Sequence, residues 1–464
     1  MSEPALIAEL TERATALGVP GVAVGIYHDG VEQYAFHGVT SVENPLPVDA
    51  TTLFQFGSTG KTYTATAILR LVDQGLVDLS APVRRYVPEL RLKDESVAER
   101  VTVLHLLNHT AGWDGDYHKD TGAGDDALAR YVAGMADIDQ VNELGAEVSY
   151  NNASLSLAGR LIEKVTGTTY EQAIQDLLLD PIGLTGTYIF PGDIMTRRFA
   201  VGHNNSSDGT VTVARPWPLP RSATPAGGLS ATAADQLAWA RFHLADGRLP
   251  AGGQLLDAQL VRSMRAATVE MPGNALGDAV GISWMLRRCG EVTLVQHGGT
   301  TIGQHSAFVL VPERDFAVIV LTNCGPNGEQ LNTELVDWAL RTCLGVVEPE
   351  PEFLSATPAT LDEYVGEYDA IAYSVRITPN VPRLTVEMAI KPEVLAELGD
   401  LGEQGEPIPV GLVADAPDQY VVTEGAMKGM RGYFTRDGSG RINSVNLGGR
   451  RCDRLTAAVD HVPG

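Results

Sequence analysis

Residues 54–79 read FQFGSTGKTYTATAILRLVDQGLVDL, and within them Ser58 and Lys61 stand three apart at the start of a helical pattern. At that spacing two side chains share one face of a helix about a turn apart. An amine placed there can take the hydroxyl proton and leave an alkoxide-like nucleophile. Ile68, Leu69, Val72, Leu76 and Leu79 recur at helical period after the glycine-rich start, which predicts an amphipathic helix independently of the pair. The N-terminal end of a helix presents unpaired N–H groups and the positive end of its dipole, and both favour developing negative charge. The bland alternatives are an ordinary helix entry or a phosphate loop. Gly57 lies too close to Gly60-Lys61-Thr62 to complete G-x-x-x-x-G-K-[ST], so nucleotide binding drops out.

Two further motifs follow in order. Ser149-Tyr150-Asn151-Asn152 precedes the helical run ASLSLAGRLIEKVTG, and His297-Gly298-Gly299-Thr300 follows the strand-like EVTLVQ. Together with Ser58 and Lys61 they resemble the serine β-lactamase and penicillin-binding-protein superfamily in its class C-like branch, over roughly residues 5–345. In that family the second motif is Tyr-x-Asn and the third is Lys-Thr-Gly or His-x-Gly. Histidine in the third motif is the departure typical of the family's esterases, D-amino-acid peptidases and some DD-peptidases, and it counts against an efficient β-lactamase.

The resemblance implies a role for each residue in acyl transfer, which needs a nucleophile, a proton relay and a stabilised oxyanion. Ser58 is the expected nucleophile and Lys61 its base, provided that a dry pocket lowers the lysine pKa. Tyr150 is expected to relay the proton to the leaving group and then activate the second acceptor. Asn152 is expected to hydrogen-bond the lysine and a substrate amide, and His297 to offer a donor on the far wall. Gly298 and Gly299 leave room for substrate to lie along the strand. The backbone N–H groups of Ser58 and Thr300 are the family's oxyanion hole. In PAGGLSATAADQLAWARFHL, which resembles a pocket-lining segment, Gly227 and Gly228 allow close backbone approach, with Gly228 expected to border substrate. His105 and His109, four apart in VLHLLNHTAGW, suggest metal ligation by spacing. With no third ligand or His-Glu signature nearby they read as structural, no metal or cofactor is expected, and the segment resembles the family's Leu-Leu-x-His-Thr-x-Gly helix end.

A chain of 464 residues has length for two domains and a large core. Its formal charge of −24 repels nucleic acid and anionic membranes. No apolar run reaches transmembrane length, and MSEPALIAELTERATALG reads as a polar amphipathic helix rather than a secretory signal, so a cytoplasmic location is expected. Cys289, Cys324, Cys343 and Cys452 lack metal spacing and read as reduced thiols.

The hairpin VAVGIYHDGVEQYAFHGV, turning at Asp29-Gly30, opens the first domain after a helix. Strands return at VGISWMLRRCGEVTLVQHGG and HSAFVLVPERDFAVIVLTN after a mostly helical middle. This order predicts an α/β fold: an antiparallel sheet flanked by helices, with a helical lobe and a pocket between them. A catalytic domain over 1–347, a linker over 348–358 and a small all-β domain over 359–464 are expected, the boundary lying in GVVEPEPEFLSATPATL. The last part reads as short strands forming an open or closed barrel and resembles a lipocalin-like appendage. It is expected either to stabilise or oligomerise the protein, or to restrict the pocket with arginines such as Arg431, Arg436, Arg450 or Arg451 facing an anionic substrate end.

The leading functional reading is a serine hydrolase that forms an acyl-enzyme from a small peptide amide or ester, with a D-residue at the acyl position as one form of it. The alternative is a stand-alone penicillin-binding-protein-type thioesterase that cyclises a nonribosomal peptide, taking a thioester or carrier-protein-bound substrate. A non-catalytic penicilloyl-type binding or sensor domain is the reading of another class. Retention of Ser58, Lys61 and Tyr150 counts against it. A homo-oligomer is compatible with all three.

Overall fold

Asp29 and Gly30 take φ of 49° and 80°, the two left-handed positions of a tight hairpin turn whose twist matches that of its strands. They join Gly21–His28 to Val31–Gly38 in antiparallel register, so the Asp-Gly signal is read correctly. The computed structural model describes residues 3–206, 208–370, 373–392, 407–425 and 427–455.

The hairpin forms one side of an eight-stranded antiparallel sheet. From that edge the order runs Val31–Gly38, Gly21–His28, Phe316–Thr322, His305–Val311, Val292–Thr300, Met285–Cys289, Gly277–Val280 and Val269–Asn274. Strands from the two ends of the first domain therefore lie side by side, with Val22 opposite Thr322. Every residue of Phe316–Thr322 is buried, and the two-residue side-chain period of a strand divides them between two cores. Phe316, Val318 and Val320 join Leu6, Leu10 and Leu335 from the helices Glu3–Ala16 and Asn327–Ala339. Ala317, Ile319 and Leu321 join Trp239 and the helical lobe on the other face. The sequence reading did not name Val269–Asn274 or Gly277–Val280, which carry glycines and a proline that break strand pattern.

The Ser58 region differs from expectation in one respect. The helix spans Gly60–Asp73, preceded by a 3₁₀ turn over Gly57–Thr59, and its residues from Gly60 to Leu69 are all buried. It is a lobe-core helix rather than an amphipathic one. Its buried threonines are satisfied internally: Thr62 donates to the Thr59 carbonyl and Thr66 to the Thr62 carbonyl, each at 2.7 Å. Leu76 and Leu79 lie beyond its end, and Leu76 is exposed.

The remaining strands close into a barrel of eight, running from Gly366–Asp369 in chain order to Arg450–Arg454. Tyr368 opposite Arg454 makes the closure. Tyr368, Val375, Leu384, Tyr420 and Phe434 belong to a third core that fills it. Of the arginines singled out, Arg436 is held by Asp418 at 2.8 Å and Glu363 at 2.9 Å in a surface ion-pair group. Two compact units divide the described residues: Glu3 through Met271 with Gly277–Pro349, and those from Glu350 onward with Pro272–Leu276. Leu354 N donates to the Leu412 carbonyl at 2.8 Å, so part of the proline-rich segment is stitched to the barrel. None of the four cysteines forms a disulfide.

Because each unit encloses its own core, a chain ending at Pro349 is expected to keep a cooperative thermal transition with mixed helix and strand circular dichroism. A broad, non-cooperative melt would show that its cores need the barrel.

Candidate active site

Three backbone segments converge on Ser58, and each does so through a glycine. Gly57 has φ of +53°, and a Cβ there would lie 2.7 Å from the Thr300 nitrogen. A Cβ on Gly299 would lie 1.9 Å from the Phe56 carbonyl oxygen, and one on Gly227 would lie 2.9 Å from the Gly57 carbonyl carbon. Only glycine permits backbones this close. The turn bearing Ser58 is thereby wedged between the His297 strand, Val292–Thr300, and the short helix Thr224–Gly227. Side chains lock it there: Thr59 Oγ1 donates to the His297 carbonyl at 3.2 Å, and Ser306 Oγ to the Phe56 carbonyl at 2.7 Å.

Lys61 is fully buried, while Ser58 remains partly accessible. The lysine Nζ donates to Ser58 Oγ at 3.0 Å and to the Ala226 carbonyl at 2.7 Å. It also stands 4.8 Å from the centroid of the Tyr150 ring. Tyr150 is 8% exposed. It immediately precedes Asn151, which caps the helix Asn152–Thr166 by accepting from Ser154 N at 2.8 Å. The asparagine pair thus does divided work, for Asn151 caps the helix while Asn152 projects its amide. Asn152 Nδ2 donates to Asp116 Oδ1 at 3.3 Å, leaving its carbonyl oxygen as the group with capacity toward lysine or substrate.

His297 behaves differently from the expected donor. Its Nδ1 lies 2.6 Å from the Gly298 carbonyl, and because a carbonyl only accepts, Nδ1 carries the proton. Burial, and then the Lys61 charge, push its pKa down to about 3 against the opposing pull of that carbonyl. The ring is neutral at physiological pH, and its other nitrogen is an acceptor. That Nε2 is buried without a hydrogen-bond partner among the described residues. The ring stands 6.3 Å from that of Tyr150, centroid to centroid.

The sequence-selected residues separate accordingly. Ser58, Lys61, Tyr150 and His297 come together. Thr300 abuts the Ser58 turn and hydrogen-bonds His305 through Oγ1 at 3.2 Å. Gly298 is exposed and a Cβ on it would meet only the Ser306 carbonyl, at 3.6 Å. Gly299 is spent on contact with Phe56, not on room for substrate. Likewise Gly227 is the glycine against Ser58, whereas a Cβ on Gly228 would strike Thr224, 2.8 Å from its Cα. His105 caps a helix through Nδ1, accepting from Thr102 N at 3.0 Å. Among the described residues no group of three or more His, Cys, Asp or Glu is arranged to hold a metal. Sequence reading missed Ala226, Thr59, Ser306 and Asp116. A backbone carbonyl leaves no residue-type signal, whereas Thr59 lies within the first motif and Ser306 sits opposite Gly299 on the adjacent strand.

A beta-lactamase family model matches residues 6–340. The chain belongs to that family. These are serine hydrolases, and the protein is an enzyme of this kind. It is 34% identical over 348 residues to penicillin-binding protein 4 of Amycolatopsis lactamdurans, an alignment covering 74% of this chain and 91% of that one. The crystal structure of SurE is similar over 98% of this chain and 99% of its own, with 25% identity and a TM-score of 0.75. SurE has also been solved with D-Leu. An octameric penicillin-binding protein homologue from Pyrococcus abyssi shares the fold over 97% of this chain and 100% of its own, at 22% identity and a TM-score of 0.66.

Buried neutral histidines set a pH limit on this unit. Burial lowers the pKa of His243 and His297 to about 3 and of His305 to about 4, whereas the unfolded chain protonates them near the ordinary value of about 6.5. Between those values the unfolded state binds more protons, so their contribution is full above about pH 6.5 and is lost as pH falls through the window. Each such imidazole contributes a slope of about 1.4 kcal/mol per pH unit. The melting temperature is expected to fall steadily from pH 7 to pH 4.5, and less steeply in His243→Leu. Gly299→Ala is expected to lose most acylation, since its methyl forces the His297 strand off the Ser58 turn; near-wild-type labelling by an active-site probe would contradict that packing.

Proposed function

We propose that this enzyme forms an acyl-enzyme on Ser58 from a short peptide-like amide, ester or thioester with a D-residue at the acyl position, and releases the acid by hydrolysis. The single observation that carries the reading is the Lys61 contact to Ser58 Oγ, 3.0 Å, made by a fully buried amine. In its neutral form Lys61 takes the hydroxyl proton as Oγ attacks, Tyr150 hands its phenolic proton to the leaving group and is reprotonated by Lys61, and the Ser58 and Thr300 N–H groups receive the oxyanion. Deacylation repeats the relay with water as the acceptor. The D-preference is supported by the near-complete overlap with SurE, which has been solved with D-Leu.

The second reading keeps the same acyl-enzyme and replaces water by the substrate's own amine, making a cyclic peptide. What favours it is the eight-stranded barrel, an appendage of the kind that stand-alone penicillin-binding-protein-type thioesterases carry. The strand count and chain-order meander support the lipocalin-like resemblance, and side chains fill the barrel. In this reading the barrel selects long substrates and supplies no reacting group.

A fluorophosphonate probe is expected to label Ser58, found by peptide mass mapping, and Ser58→Ala to abolish the label. Labelling at another residue would overturn the mechanism. Lys61→Ala and Tyr150→Phe are each expected to slow acylation by about 10²–10⁴, measured under single-turnover conditions where chemistry limits the rate. Matched D- and L-acyl peptidyl thioesters of eight or more residues then decide the acceptor: linear acid supports hydrolysis and a product lighter by one water supports cyclisation. Equal rates for the two enantiomers would remove the D-preference.

A further inference from the structure

We infer that His109 is a positioning residue for Tyr150. The inference rests on the proposed role of Tyr150 as proton relay and names the element that aims it. His109 engages three consecutive residues of the second motif by three different groups. Its carbonyl accepts from Ser149 N at 3.0 Å. Its ring stacks on that of Tyr150, 4.7 Å between centroids and 28° between planes. Its Nδ1 accepts from Asn151 N at 3.1 Å.

The backbone is arranged for this purpose at a cost. His109 has φ of +60°, a left-handed conformation disfavoured for most residues that carry a Cβ. It is 1% exposed, so the surrounding lobe holds it in that state. The conformation turns the imidazole back from the end of the helix Val103–Leu107 toward the segment 149–151. Acceptance at Nδ1 puts the proton on Nε2 and fixes the tautomer. A ring stacked at this distance restricts how Tyr150 tilts, and the bonds to residues 149 and 151 fix the backbone on either side. The phenol of Tyr150 is thereby presented to Lys61 and His297 with little freedom to swing away.

His109→Asn separates this role from folding. Asparagine tolerates the left-handed conformation better than most residues, and its side-chain oxygen can take over the bond from Asn151 N, while the stacked ring is lost. Acylation of Ser58 by a D-acyl thioester is expected to slow by about 10- to 100-fold, the scale of a misplaced catalytic group, with KM changed less than twofold. The melting temperature should stay within a few degrees of wild type. In a Tyr150→Phe background the same change should cost at most twofold, because the group being positioned is already gone. A slow Tyr150→Phe beside a wild-type-like His109→Asn overturns the inference and leaves the relay intact. Equal losses in both backgrounds, or failure of His109→Asn to fold, assign His109 to stability and overturn it too. A Tyr150→Phe enzyme of wild-type rate overturns the relay itself.

Discussion

The close approach of backbones at Gly57, Gly227 and Gly299 is the constraint on which the site depends. The proposed nucleophile, Ser58, and the proposed oxyanion donor at Thr300 come from parts of the chain more than two hundred residues apart. They share a few ångströms only because no Cβ intervenes between the Ser58 turn, the His297 strand and the Thr224–Gly227 helix. Hydrogen bonds from Thr59 and Ser306 then convert that proximity into a fixed register. Preorganisation of this kind lets donors meet developing charge without rearrangement.

Burial decides the electrostatics around that junction. Lys61 is taken wholly out of water and given the Ala226 carbonyl and Ser58 Oγ in exchange, while His297 beside it is forced neutral. Two adjacent cations in a dry site would repel strongly, so neutralising the histidine is the less costly arrangement. It leaves Nε2 of His297 as a hydrogen-bond acceptor and leaves the proton traffic of the proposed cycle to Lys61 and Tyr150.

Much of this was legible in the chain because the signals are local. Ser58 with Lys61 and the hairpin at Asp29-Gly30 follow from spacing and turn chemistry, which neighbouring residues fix by themselves. The errors share a different origin. Helical periodicity ran on through Leu76 and Leu79, but the chain leaves the helix at Asp73 and Gly75 turns with φ of +73°. The tautomer of His297 and the partner of Lys61 are set by backbone carbonyls brought in by tertiary folding. Gly299 was read as space, although its neighbour across the junction had already filled that space. In the barrel, Ile408–Leu412 contains Pro409 and Gly411, which mask a strand, and closure depends on Tyr368 meeting Arg454 across the whole unit.

The neutral third-motif histidine bears on what the proposed chemistry can select. A lysine at that position would place a cation where it attracts a substrate carboxylate from a distance, through a field that reaches about 10 Å at ordinary salt. His297 has no such field at neutral pH, and its proton is already committed to the Gly298 carbonyl. In the proposed chemistry, substrates are then chosen by shape and by hydrogen bonds along the exposed edge at Gly298 and Thr300. Selection of that type does not require a terminal carboxylate next to the scissile bond. It therefore leaves the leaving group free to be an amine, an alcohol or a thiol, and makes the acceptor that enters afterwards, rather than the acylation step, the point at which hydrolysis and cyclisation part.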